Sequence, residues 1–235
     1  EASSDETIAT VFDLTRKLGK TPVVVGDGPG FLVNRVLTPY LNEAGYLLAE
    51  GGAIAEIDEA LVDFGMPMGP LRLLDEVGLD IARHAGETMH EAFGERLAPS
   101  PALGALEDTD RLGRKNGREE HPDQSIYVDL KAVVGKERKA VPPREVVDRC
   151  VLPMVNEAAR ILEEGIARSA GDVDLAMITG TGFPPFHGGL LRWADRMELA
   201  TVLAKLESFE RAHGVRFQPA PLLRRKVEAG ERFYD

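Results

Sequence analysis

Val23-Val24-Val25-Gly26-Asp27-Gly28-Pro29-Gly30-Phe31-Leu32-Val33-Asn34-Arg35 is the segment at which this 235-residue chain changes character. A β-branched run stops at three glycines and a proline. An apolar pattern of helical period follows, with the amide Asn34 near its start. This order fits a strand leaving one domain, a tight turn, and a helix opening the next. The glycines do not form a dinucleotide loop: Phe31 stands where the third glycine of G-x-G-x-x-G belongs, and no acidic residue about 20 positions on closes a βαβ unit.

Upstream, Ser3 and Glu6 make a candidate capping box, Ile8, Val11, Phe12 and Leu18 mark one helix face, and Gly19 occupies a C′ position. Pro22 to Val25 reads as a short strand. One helix and one strand cannot bury their apolar faces alone, so residues 1–26 are expected to be the tail of a larger α/β domain. Downstream, helix is expected from Phe31 to Glu50, kinked at Pro39, then over Ile54–Phe64. A rigid turn with Gly65, Pro67, Gly69 and Pro70 precedes helices over Leu71–Val77 and Ile81–Phe93. A charged, polar stretch over 114–142 reads as a linker, and helical periodicity resumes after Pro142-Pro143.

The chain repeats itself. Offset by 114 residues, Pro39–Gly51 falls on Pro153–Gly165 with seven of thirteen positions identical: the two prolines, Asn42/Asn156, Glu43/Glu157, Ala44/Ala158, Leu48/Leu162, Glu50/Glu164 and the two glycines. Arg35 meets Arg149, Ile57-Asp58 meets Val173-Asp174, Gly65-Met66-Pro67 meets Gly182-Phe183-Pro184, and Gly69 is matched to Gly188. Two copies of one helical unit, packed on each other like a homodimer with joined halves, are expected. The recurring Asn and Glu pairs suit capping or interhelix hydrogen bonds. Asn34 departs from the pattern, since its counterpart is Asp148; a site served by the first copy alone would leave that trace.

A net charge of −11 argues against generic nucleic-acid binding. Two basic groups, Arg111, Arg114, Lys115, Arg118 and Lys131, Lys136, Arg138, Lys139, read as solvated loop charges or as local anion contacts. No apolar run reaches the roughly 20 residues of a membrane span, and the start lacks a signal-peptide pattern. The single cysteine, Cys150, fits packing in a reducing compartment. His84, His90, His121, His187 and His213 show no metal-ligand spacing, and His187 fits a turn in Gly182-Phe183-Pro184-Pro185-Phe186-His187-Gly188-Gly189. No nucleophile, metal site or nucleotide loop is visible, so any chemistry must be shared with another part.

Thr21-Pro22-Val23-Val24-Val25, Gly30-Phe31-Leu32-Val33-Asn34-Arg35 and Met66-Pro67-Met68-Gly69-Pro70 with Leu74-Asp75 and Val77-Gly78 carry a resemblance. So do Arg111-Leu112-Gly113-Arg114-Lys115-Asn116-Gly117 and Leu152-Pro153-Met154-Val155-Asn156-Glu157-Ala158. Across nearly its whole length the chain resembles the C-terminal region of L-3-hydroxyacyl-CoA dehydrogenases, most of all the α-subunits of bacterial fatty-acid oxidation multienzyme complexes. The implied fold is mainly α: two tandem homologous helical repeats, like the C-terminal domain of 6-phosphogluconate dehydrogenase, preceded by a helix–strand remnant of a Rossmann-type domain. The implied layout is a NAD-domain tail at 1–26, a first helical domain at 27–117, a linker at 118–142 and a second helical domain at 143–235. One departure stands out: Arg118-Glu119-Glu120 follows Gly117 where the family continues Gly-Arg-Gly-Phe-Tyr, whereas the second copy ends Gly230-Glu231-Arg232-Phe233-Tyr234.

In that family a His–Glu pair of the NAD domain is the general base, and the hydride passes to NAD⁺. An asparagine at the Asn34 position holds the substrate oxygen, which suits an amide N–H₂ beside a developing carbonyl. A second substrate contact, commonly tyrosine, falls on Thr179. The resemblance thus implies a substrate-binding and assembly portion of a cytoplasmic, NAD-dependent enzyme of fatty-acid β-oxidation. It would bind acyl-CoA with Asn34 and Thr179, while the hydratase domain and most of the NAD domain, with the catalytic pair, lie outside these residues. Alone it would be inactive. A non-catalytic oligomerisation or thiolase-docking module is the alternative, and a dehydrogenase with a single helical unit is disfavoured by the duplication.

Overall fold

A computed structural model of the chain describes residues 3–104 and 139–234. The first element, α1 (Asp5–Lys17), has acidic residues in its first turn and Arg16 and Lys17 in its last, both matched to the helix dipole. Its N-cap is Ser4 rather than Ser3: the Ser4 hydroxyl accepts the Thr7 amide at 3.2 Å. That moves the cap by one residue and dissolves the capping box with Glu6. No residue of α1 is buried, and Val11, Leu14 and Leu18 are 55, 54 and 68% exposed.

Pro22–Val25 makes no strand, and none occurs among the described residues. β-branched propensity needs a neighbouring strand to become a ladder, and none is present. Instead Val23 and Val25 pack on the helical core, and the Gly26 amide donates to the Ile166 carbonyl at 2.8 Å.

The chain then turns at Gly30 (φ +70°) and Phe31 (φ +48°), with the Phe31 amide donating to the Gly28 carbonyl. A β-carbon on Gly30 would lie 3.0 Å from the Arg35 backbone nitrogen, and its positive φ is one that a residue with a β-carbon rarely adopts. Helix α2 (Val33–Ala49) therefore starts two residues later than its apolar pattern, and it carries Pro39 within it. There follow α3 (Ile54–Phe64), α4 (Pro70–Val77), α5 (Leu79–Phe93), a 3₁₀ turn at Gly94–Leu97 and α6 (Pro101–Gly104).

The second half repeats the order: α7 (Pro143–Glu163, with Pro153 inside), α8 (Ala170–Thr181), α9 (Leu190–Met197), α10 (Leu199–His213), a 3₁₀ turn at Val215–Phe217 and α11 (Pro221–Ala229). Local devices recur with it. The Leu71 and Arg72 amides at the start of α4 donate to Asp58, and the Leu191 and Arg192 amides at the start of α9 donate to Asp174. A β-carbon on Gly69, or on Gly189, would lie 2.2 Å from the respective carboxylate carbon. The counterpart of Gly69 is therefore Gly189, one residue past the match made from sequence. Asn42 donates to the carbonyls of Leu97 and Ala98; Asn156 donates to Gln218 and accepts from Ala220. The paired asparagines thus stitch each long helix to its own 3₁₀ turn.

The two proline-bearing helices form the centre. Val36, Tyr40, Ala44 and Leu47 of α2 meet Val151, Leu152, Val155 and Ala158 of α7, all fully buried in one core. Cys150 lies in the same core and is fully buried. The two basic groups, apart from Lys139, and most of the linker lie outside the described residues, as does His121. No helix among the described residues is long and apolar enough to cross a membrane.

Candidate functional site

Asn34 is the second residue of α2 and is exposed. Its backbone carbonyl accepts the Thr38 hydroxyl at 2.8 Å. Phe31, just before it, is 55% exposed in its left-handed conformation.

Thr179 is also exposed, near the end of α8, and its hydroxyl donates to the Leu175 carbonyl at 2.8 Å. Its proton is therefore committed to its own helix, and what remains outward is an acceptor. The two helix ends meet: a β-carbon on Gly180 would touch Val33 Cγ2 at 3.1 Å. The closing turn of the second copy's α8 thus lies over the opening turn of the first copy's α2. Asn34 and Thr179 are the chain neighbours of these two contacting residues.

The corresponding corner of the second copy is shut. Asp148, the counterpart of Asn34, is 6% exposed and is paired with Lys205 of α10. At the offset of 120 that aligns α10 with α5, Lys205 corresponds to Ala85. Where the second copy holds a charged pair, the matching positions of the first copy carry a neutral amide and an alanine.

Behind Asn34 lies a reciprocal set of ion pairs. Arg35 Nε donates to Glu157 at 2.7 Å, and its two terminal nitrogens donate to the Glu164 carboxylate at 2.5 and 2.8 Å. Arg149 makes the mirrored set to Glu43 and Glu50. Each set gains one further arginine, Arg96 on Glu157 and Arg216 on Glu43. Burial raises the Glu43 carboxyl pKa even against Arg149 and Arg216, whereas the bidentate Arg35 bond lowers that of Glu164. Arg96 and Arg216 escaped the sequence comparison. Their signal is an offset of 120 in Gly94-x-Arg96 and Gly214-x-Arg216, beyond the insertions that end the 114 offset.

His187 sits apart from this corner, its ring 4.7 Å from that of Phe64, and burial lowers its pKa. His84 and His90 lie on α5. No cluster of three or more metal-ligating side chains occurs among the described residues.

A family model described as 3-hydroxyacyl-CoA dehydrogenase, C-terminal domain, matches the chain twice, at residues 30–120 and 146–232. The fatty acid oxidation complex subunit alpha of Idiomarina loihiensis is 45% identical over 242 residues, covering 99% of this chain and 34% of that protein. The protein of the same name from Shewanella amazonensis is 43% identical, covering all of this chain and 34% of its own length. The chain thus spans about a third of the length of these relatives. Among solved structures, 3-hydroxybutyryl-CoA dehydrogenase from Escherichia coli K12 superposes with a TM-score of 0.80 at 26% identity, over 97% of this chain and 66% of that one. The dehydrogenase part of multifunctional enzyme 1 from C. elegans gives 0.65 at 25% identity, over 93% and 53%.

Proposed function

The chain belongs to the 3-hydroxyacyl-CoA dehydrogenase C-terminal domain family, and from that premise we propose that it forms one wall of the substrate cleft of an NAD-dependent L-3-hydroxyacyl-CoA dehydrogenase of fatty-acid β-oxidation. What supports this is that Asn34, at the start of α2, and Thr179, near the end of α8 of the other repeat, are both exposed and flank the contact between Val33 and Gly180. In this reading Asn34 donates to the substrate 3-oxygen as it becomes a carbonyl. Thr179, whose proton is spent on Leu175, offers only a lone pair. NAD, the general base and the rest of the cleft belong to a dinucleotide-binding domain outside these residues, seated against the open apolar face of α1. The reading also places the enzyme in the cytoplasm. The relatives' name as subunits of a complex supports a partner chain, which we take to be a thiolase β-subunit.

In the full-length protein, Asn34→Ala should lower kcat/KM for acetoacetyl-CoA reduction by about 10²–10³, the loss typical of one polar stabilising donor. The 235-residue chain alone should not turn over. An unchanged kcat/KM would favour the alternative, a module that assembles partners without touching substrate.

A further inference from the structure

Asn34 stands on a helical turn that has local backbone hydrogen bonds but no side-chain N-cap. Leu32, at the N-cap of α2, gives no side-chain cap, and the preceding Gly30 and Phe31 are both left-handed. The first turn is held by the next residue. Arg35 is 2% exposed, its guanidinium lies 4.2 Å above the Phe93 ring, and it spans Glu157 of α7 and Glu164, the C-cap of that helix. Glu157 is fixed in turn by Arg96. The anchor of this turn is therefore supplied by the second repeat.

We propose that the Arg35–Glu157–Glu164 bridge is a positioning device for Asn34, through which the second repeat, closed at its own corner, sets the geometry of the first repeat's site. This rests on the role of Asn34 proposed above. A planar guanidinium held by two carboxylates fixes direction as well as distance, and an amide that must meet one oxygen depends on direction. The molecule contains its own control. Arg149–Glu43–Glu50 has the same chemistry and stands beside Asp148, which Lys205 occupies. Loosening that bridge should disturb packing without disturbing the site.

The test compares Glu164→Gln with Glu50→Gln, alone and each combined with Asn34→Ala, in the full-length enzyme with NADH and acetoacetyl-CoA. Both glutamines keep one acceptor, so both variants are expected to fold, and thermal melting checks that they do. Glu164→Gln should lower kcat about tenfold with KM within about twofold, as expected when a reacting group is misplaced rather than lost. Added to Asn34→Ala it should cost nothing further, because both act on one contact. Glu50→Gln should leave kcat unchanged. A full additional loss in the Asn34→Ala background, or equal effects of the two glutamines, would overturn the positioning role while leaving Asn34 its own. An Asn34→Ala enzyme of normal activity would remove both.

Discussion

Asp58 shows how one side chain can act as both cap and burden. It accepts two amides at the start of α4, yet burial pushes its pKa up to about 6, against those bonds and Arg72. The folded state then holds a proton that the unfolded chain has already released. Stability from this group is present below about pH 4 and lost as pH rises through 6, at a slope of at most about 1.4 kcal/mol per pH unit. Urea unfolding across pH 4–6 should show this fall, and Asp58→Asn should flatten it. Asp174 is raised too, but it also accepts the Tyr234 hydroxyl at 2.6 Å, a third bond favouring its charged form. At this scale the sequence was legible where a residue broke a pattern: Asn34 differs from its counterpart Asp148, and the two differ in setting, the first exposed and the second buried against Lys205. Lys205 opposite Ala85 was not legible, because a pairing between α7 and α10 exists only once the helices are packed.

Helices were recoverable because each writes its own period into the sequence, and α3 has the bounds expected of it. What failed was whatever depended on a neighbour. Val23–Val25 has strand propensity and no strand beside it among the described residues; the start of α2 is set by the left-handed Gly30–Phe31 turn rather than by the apolar pattern. Gly69 was matched to the wrong glycine because the rule that selects it is contact with an aspartate eleven residues away, invisible in the alignment itself. That contact gives a prediction. Gly69→Ala places a β-carbon against the Asp58 carboxylate and should cost about 2 kcal/mol, as steric insertion at a packed site does. Lowered thermal stability together with loss of the Asp58 titration near pH 6 would show it. An alanine variant as stable as the parent would mean that the carboxylate can leave the helix start freely.

As a whole molecule, the chain has one well-buried centre and one exposed edge. The centre is the α2–α7 contact with its reciprocal bridges; the edge is α1, whose apolar side chains face outward. Val11, Leu14 and Leu18 all changed to serine should leave the melting temperature of this chain within a few degrees, since no residue of α1 is buried. The same changes should reduce self-association in sedimentation velocity. A large drop in melting temperature would show that α1 is a structural part of the helical body. The sequence disclosed the duplication, but not that its two arginines exchange partners, since a repeat declares likeness and not contact.

The exchanged bridges bear on concentration. Two separate chains paired this way would part on dilution and lose their counter-ions together. Here both halves lie on one polypeptide, so each arginine meets its carboxylates at an effective concentration set by the tether rather than by the cell. The geometry behind Asn34 should thus be as intact at nanomolar protein as at millimolar.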